Sequence, residues 1–261
     1  MGVYWRKEEL DMSQIFVTGD THGDVRRLNS TTFFEQKEMT KDDYVIILGD
    51  FGLVWDYTGE SKDEKYWLDW LEDKPFTTLF IDGNHENHDR LNELPVEEWN
   101  GGKVHKVRPS VIHLMRGQVF KIDGLKIFTF GGASSHDIKD GILEPGDPRI
   151  KKWWKDYDKL FRINKQSWWE GELPTKEEMQ EGRDNLEKNN WKVDFIFTHC
   201  TSSDTTALIG GGLYGQDVLT KYLQEIKERT KFRQWFFGHH HIDESINSKE
   251  ICLFEQIIRI H

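Results

Sequence analysis

The stretch Ile15-Phe16-Val17-Thr18-Gly19-Asp20-Thr21-His22-Gly23-Asp24 sets a pattern that the rest of the chain repeats. A short β-branched and aromatic run reads as a buried strand, then breaks at glycine into carboxylates and a histidine. Downstream, Val45-Ile46-Ile47-Leu48 leads into Gly49-Asp50, and Leu79-Phe80-Ile81 leads into Gly83-Asn84-His85-Glu86. Phe195-Ile196-Phe197 leads into Thr198-His199, and Trp235-Phe236-Phe237 into Gly238-His239-His240-His241. Strand-like runs cover residues 14–18, 44–48, 77–81, 125–130, 193–198 and 233–237. Helical periodicity appears at 63–71 and, with the stripe Val218, Leu219, Tyr222, Leu223 and Ile226, at 216–229. This alternation predicts an α/β class. Further strand-like runs at 117–122 and 251–260 predict mixed rather than purely parallel sheets.

In α/β sheets, ligands bind beyond the carboxyl ends of the strands, so the five strand ends can converge on one site. Glycine there allows tight turns and close approach. Residues two apart in extended chain share a face, which predicts that Asp20 with His22, and His239 with His241, point at one centre while His240 points away. A lone Gly-Asp is ordinary turn chemistry. Histidine at three separated strand ends is not, and imidazoles, carboxylates and one amide oxygen make a donor set for divalent Mn, Fe, Zn, Co or Ni. Asp24 and Glu86 read either as supports for these groups or as caps of following helices.

The ordered blocks Asp-x-His, Gly-Asp, Gly-Asn-His-Glu, His and Gly-His-x-His, over residues 15–241, resemble the calcineurin-like metallophosphoesterase superfamily. The resemblance implies a four-layer αββα sandwich with two central mixed β-sheets, and a pair of divalent cations, manganese foremost, at the strand ends. It implies that Asp20, His22, Asp50 and His241 hold one ion, and that Asp50, Asn84, His199 and His239 hold the other. His85 would protonate the leaving oxygen or contact substrate. The expected activity is hydrolysis of a phosphate monoester or diester on a phosphorylated small molecule or nucleotide. A diesterase acting on nucleotides or nucleic-acid ends is one alternative, and a weakly active metal-binding scaffold working through a protein partner is another. The protein Ser/Thr phosphatase branch carries arginines that this chain lacks: Phe51-Gly52-Leu53-Val54-Trp55 follows Asp50, and His88 stands in an arginine position. Arg90, Arg149 and Arg162 are the candidate substitutes. Gly131–Ser134 and Ser167–Pro174 resemble blocks of a bacterial and phage branch.

Residues 133–191 change character. They are polar, hold three of the chain's six prolines and carry no strand signal, so they read as an insertion into a single domain spanning 1–261, near the rim of the site. Within them Arg162, Trp168 and His136 are candidate substrate contacts. His136 stands out because it follows the glycine turn after an apolar strand.

The net charge of −11 disfavours nonspecific nucleic-acid binding, which needs clustered Lys and Arg. No apolar run approaches the roughly 18 residues of a membrane span. The opening residues 1–9 lack the layout of a signal peptide. With only Cys200 and Cys252, a disulfide framework is not expected, and the cytoplasm is the expected compartment.

Overall fold

The structure is a computed structural model that describes residues 12–212 and 215–261; the opening stretch 1–9 lies outside them. Alternation along the central strands is what builds layers. In β1 (Ile15–Thr18), Ile15 and Val17 enter one core and Phe16 another, because successive side chains of a strand leave on opposite faces. Two further strands, β2 (Tyr44–Ile47) and β3 (Thr77–Phe80), lie parallel beside β1. The meander β4 (Val96–Trp99), β5 (Gly102–Arg108) and β6 (Val111–Leu114) extends this sheet, with β6 parallel to β3.

The hairpin of β7 (Gln118–Ile122) and β8 (Leu125–Phe130) begins a second sheet. A separate parallel pair, β9 (Gly141–Leu143) and β10 (Phe161–Ile163), follows. The second sheet is then completed by β11 (Phe195–Thr198), β12 (Gln234–Phe237), β13 (Glu244–Ser245) and β14 (Glu250–Cys252), in the order β13-β14-β12-β11-β8-β7. Finally β15 (Ile257–Arg259) returns to pair antiparallel with β1, giving a first sheet of order β15-β1-β2-β3-β6-β5-β4.

Between the sheets, Val17, Ile46 and Leu79 meet Ile127, Phe197 and Phe236. Helix α1 (Lys62–Glu72) covers the outer face of the first sheet through Leu68 and Leu71. Four short or mid-length helices follow it: α2 (His88–Glu93), α3 (Arg149–Trp153), α4 (Lys176–Lys188) and α5 (Ser203–Ile209). The outer face of the second sheet is covered by α4 and by α6 (Val218–Arg229), through Met179, Leu186, Leu219, Leu223 and Ile226. Helix, sheet, sheet, helix is the expected four-layer sandwich.

Two expectations need correction. The run 251–260 is not one strand: it serves both sheets as β14 and β15. The crossing between them is pinned by Asp243, whose carboxylate accepts the amides of Phe254, Glu255 and Gln256. Residues 133–191 do contain strands, β9 and β10, three residues each and too short to leave a periodic signal. They also contain α4, opened by a capping box of Thr175 and Glu178.

Candidate metal centre

The parallel strands β1, β2 and β3 of one sheet, and β11 and β12 of the other, release their site residues at their carboxyl ends. Two glycines show how closely these ends are pressed together. A Cβ on Gly83 would lie 2.0 Å from Asp50 Oδ1, and one on Gly238 would lie 2.1 Å from Asp20 Oδ1. Only glycine lets the strand ends approach this closely, which is why the motifs read Gly-Asn-His and Gly-His.

Asp20, His22, Asp50 and His241 each bring one ligand atom within 4.8 Å of the others. Asp20 and Asp50 are buried at 0% and 2% exposure, whereas His22 and His241 are exposed, so two buried carboxylates lie beneath an open rim of imidazoles. His22 Nε2 and His241 Nε2 stand 3.0 Å apart, and His241 Nε2 lies 3.2 Å from Asp20 Oδ2. Asp50 faces both ways: Oδ2 is 3.7 Å from His22 Nε2, and Oδ1 is 3.3 Å from His199 Nε2. His199 Nδ1 lies 2.8 Å from the carbonyl oxygen of Leu48, to which it donates, so Nε2 is the ring atom turned toward Asp50 and, at 3.3 Å, toward Asn84 Oδ1. His239 approaches His199, with ring centroids 4.9 Å apart, and its Nε2 lies 2.9 Å from Nε2 of His136.

Local geometry corrects the expectation of extended chain. His22, Asp50, His239 and His241 have φ of 47°, 42°, 68° and 52°, the left-handed region that side chains avoid. The two histidines after Gly238 consequently part company, His241 toward Asp20 and His239 toward His199. Such strain clusters where side chains must be aimed at a ligand.

The electrostatics match a cation site. Burial alone would lower the His199 pKa, but the carboxylates of Asp50 and Asp20 outweigh it and raise the pKa to about 10. With no ion bound, the carboxylates therefore hold a proton on the ring. Burial, aided by His199 and His240, pulls His239 well below its ordinary value and leaves its nitrogens uncharged. A buried carboxylate pair facing imidazole lone pairs, with an amide oxygen beside them, fits a hard or borderline divalent cation.

His85 sits over this group. Its amide donates to Asp50 Oδ1 at 2.7 Å, its ring stacks on Trp55 at 5.4 Å between centroids, and Arg162 Nη2 lies 3.5 Å from its Nε2. Burial, with the Arg162 charge acting in the same sense and Asp50 opposing, lowers the His85 pKa. Arg162 is paired with Asp137 at 2.5 Å. Of the three candidate arginines, Arg162 alone reaches the site; Arg90 binds Glu64 and the carbonyl of Asp56, and Arg149 binds Asp147. His136 also reaches it, through His239. Trp168 does not: it lines a cavity of about 730 Å³ with His88, Arg116 and Glu178. Its neighbour Trp169 is the one that packs edge-on against Trp55.

The supporting residues separate. Glu86 accepts the amides of Phe51 and Gly52, fixing the turn after Asp50, whereas Asp24 binds the amide and guanidinium of nearby Arg26. The Gly131–Ser134 and Ser167–Pro174 blocks meet through the residue after the first of them: Ser135 donates to Glu172 and lies 3.5 Å from the Asn84 amide nitrogen. That contact turns the Asn84 oxygen toward His199. Trp55 was missed as a site residue because a tryptophan after Gly-Asp carries no chemical signal of its own.

A two-sheet sandwich with carboxylates, imidazoles and an amide at its strand ends defines a metallophosphoesterase. Residues 13–243 match the Calcineurin-like phosphoesterase family, and the chain belongs to it. Among known proteins it is similar to lariat debranching enzyme A of Xenopus laevis, 31% identical over 155 residues, which are 50% of this chain and 26% of that one. The lariat debranching enzyme of Schizosaccharomyces pombe is 33% identical over 119 residues, 41% of this chain and 24% of that protein. The chain thus spans about a quarter of the length of these relatives. Among the described residues, no helix is long and apolar enough to cross a membrane.

Proposed function

We propose that the protein hydrolyses a phosphate ester with water activated between two divalent cations, manganese foremost. The observation that carries this reading is Asp50, whose Oδ2 faces His22 and whose Oδ1 faces His199. In this reading Asp20, His22, Asp50 and His241 hold one ion, and Asp50, Asn84, His199 and His239 hold the other. When bound there, such ions would supply Lewis acidity toward a phosphoryl group, a more acidic water and charge stabilisation for a leaving oxygen. His85, held flat against Trp55, gives the leaving oxygen its proton. An incoming anionic phosphoryl group favours the protonated ring, opposing the burial that lowers its pKa. Arg162 contributes a guanidinium to the phosphoryl oxygens, exchanging Asp137 for them. Residues 133–191 act as an insertion that brings Arg162 and His136 to the rim of a single domain. Two free, buried cysteines suit a reducing compartment such as the cytoplasm.

A diester substrate is the favoured form. A cavity of about 860 Å³ opens beside Asp20 and His22, lined also by Arg26, Arg27 and Phe254, with room for a second substituent on phosphorus. The lariat debranching enzymes, by their name, act on branched nucleic acid, which is a diester. The net charge of −11 argues for a nucleotide or a nucleic-acid end over a long polyanion. The test is hydrolysis of bis-p-nitrophenyl phosphate against p-nitrophenyl phosphate in Mn, Co, Ni, Zn and Mg. Faster turnover of the bis-ester supports the diester reading, and faster turnover of the monoester reverses it. No turnover with any metal would leave a metal-binding scaffold.

A further inference from the structure

We propose that His136 is an additional ligand of the second cation, the one assigned above to Asp50, Asn84, His199 and His239. The inference rests on the two-cation reading and extends it to a residue outside the five motif blocks.

The site holds two close imidazole pairs. His22 and His241, assigned to the first cation, bring their Nε2 atoms within 3.0 Å, with ring centroids 5.0 Å apart. His136 and His239 repeat this, at 2.9 Å between Nε2 atoms and 4.9 Å between centroids. Two nitrogens bound at about 2.1 Å to one ion, at roughly a right angle, stand about 3.0 Å apart. Both pairs have the spacing of neighbouring ligands on a shared ion.

Topology gives the same result. The neighbouring parallel strands β8, β11 and β12 are followed by His136, His199 and His239 respectively. The loop after β8 must therefore reach across the end of β11 to bring His136 to His239. It does so from fixed anchors. The Gly132 amide donates to the carbonyl of Asp82 at 2.8 Å, and Ser135 donates from its amide and hydroxyl to Glu172 at 3.1 and 2.6 Å. On the other side Asp137 is held by Arg162. A side chain between two anchored neighbours is pre-positioned, as a ligand must be. His136 is exposed, so its ring can join an ion at the rim without disturbing the core.

The competing account is an N–H···N hydrogen bond in which His136 merely orients His239. The isosteric variants His136→Gln and His136→Glu separate the two. A carboxylate can bind the ion but cannot donate to a histidine lone pair, whereas an amide can donate but, being uncharged, is a weaker ligand than a carboxylate. The apo protein, stripped with chelator, is titrated with Co²⁺; visible absorption reports the ligand field, and metal content is measured after gel filtration. Unchanged melting of the apo variants checks their folding. The wild type is expected to bind two ions. His136→Gln should keep the first and weaken the second by about 10-fold or more, with an altered spectrum, since losing even a residue that only orients a ligand costs about 10–100-fold. His136→Glu should restore most of that affinity. Two ions bound by His136→Gln with wild-type affinity and spectrum would overturn the inference alone. So would rescue by Gln and not by Glu. A wild type that binds fewer than two ions would remove both this inference and the two-cation reading beneath it.

Discussion

Two buried carboxylate clusters, Asp82 in one and Asp20 with Asp50 in the other, are compensated in opposite ways. Asp82, 2% exposed, accepts from Arg116 Nε at 2.9 Å and Nη2 at 2.6 Å, and from His113 Nε2 at 3.0 Å. Burial would raise its pKa, but the Arg116 charge and His113 drive it far below the carboxylate range. Arg116 also donates to the Gly171 carbonyl, so the cluster ties β3 to the Ser167–Pro174 block. Asp20 and Asp50 are buried just as deeply, yet among the described residues their ion-pair partners are all histidines. A guanidinium is a permanent cation, whereas an imidazole can shed its proton and offer a lone pair. The first arrangement is closed to any further cation. The second is open to one, because its imidazoles can give up their protons and offer lone pairs in exchange.

The sharpest way to break this comparison is to neutralise the carboxylate that faces both halves of the site. Asp50→Asn is expected to lower kcat/KM by about 10⁴-fold or more, about 5.5 kcal/mol of transition-state stabilisation. Bound metal should fall in parallel, since one carboxylate offsets the repulsion of two ions. Near-native turnover with full metal content would show that Asp50 bridges nothing.

His85→Ala tests the group above the metals rather than the metals. Both ions should stay while turnover slows by about 10²–10⁴-fold, the range for a lost general acid. The deficit should shrink for leaving groups of low pKa, which need little protonation. An equal loss across leaving groups would make His85 a phosphate-binding residue instead.

On the closed side, Arg116→Met should destabilise the fold by about 3–5 kcal/mol in urea, because Asp82 is left buried and unpaired. The variant's metal stoichiometry should be unchanged. A cost below about 1 kcal/mol would mean that the two clusters are not so different after all.

How much of this was legible in the sequence follows from the same contrast. The five strand ends could be read because apolar runs stop abruptly at Gly, Asp, Asn and His, and those residues share one chemistry. The left-handed backbone of Asp50 and His241 could not, since non-glycine residues carry no mark of positive φ. Helix α4 could have been found from Thr175 and Glu178, but its thirteen residues hold few apolar side chains to set a period. The Asp82–Arg116 pair joins residues 34 apart in sequence, through a register that only the assembled sheets define. Arg162 was legible as a candidate substrate contact, but its place beside His85 was not. What selects it is the docking of β10 against the rim, a tertiary event.

Arg162 therefore carries the finest test, the smallest effect and the one that separates rim from centre. It stands between Asp137, at 2.5 Å, and His85, at 3.5 Å, so its guanidinium is shared between an acid of its own segment and the His85 ring. If it meets the phosphoryl group, Arg162→Ala removes a charged hydrogen bond of about 1.5–3 kcal/mol, roughly a 10–100-fold fall in kcat/KM. Metal content should hold, because no assigned ligand touches Arg162. Asp137→Asn should do the reverse, freeing the guanidinium and lowering KM by a few-fold. Trp168→Ala, on the far cavity with His88 and Arg116, should leave the kinetics of every substrate unchanged. A loss in Trp168→Ala as large as that in Arg162→Ala would mean that the 133–191 segment acts through its folding alone. A loss confined to Arg162→Ala, with the opposite sign for Asp137→Asn, would make the segment part of the active site.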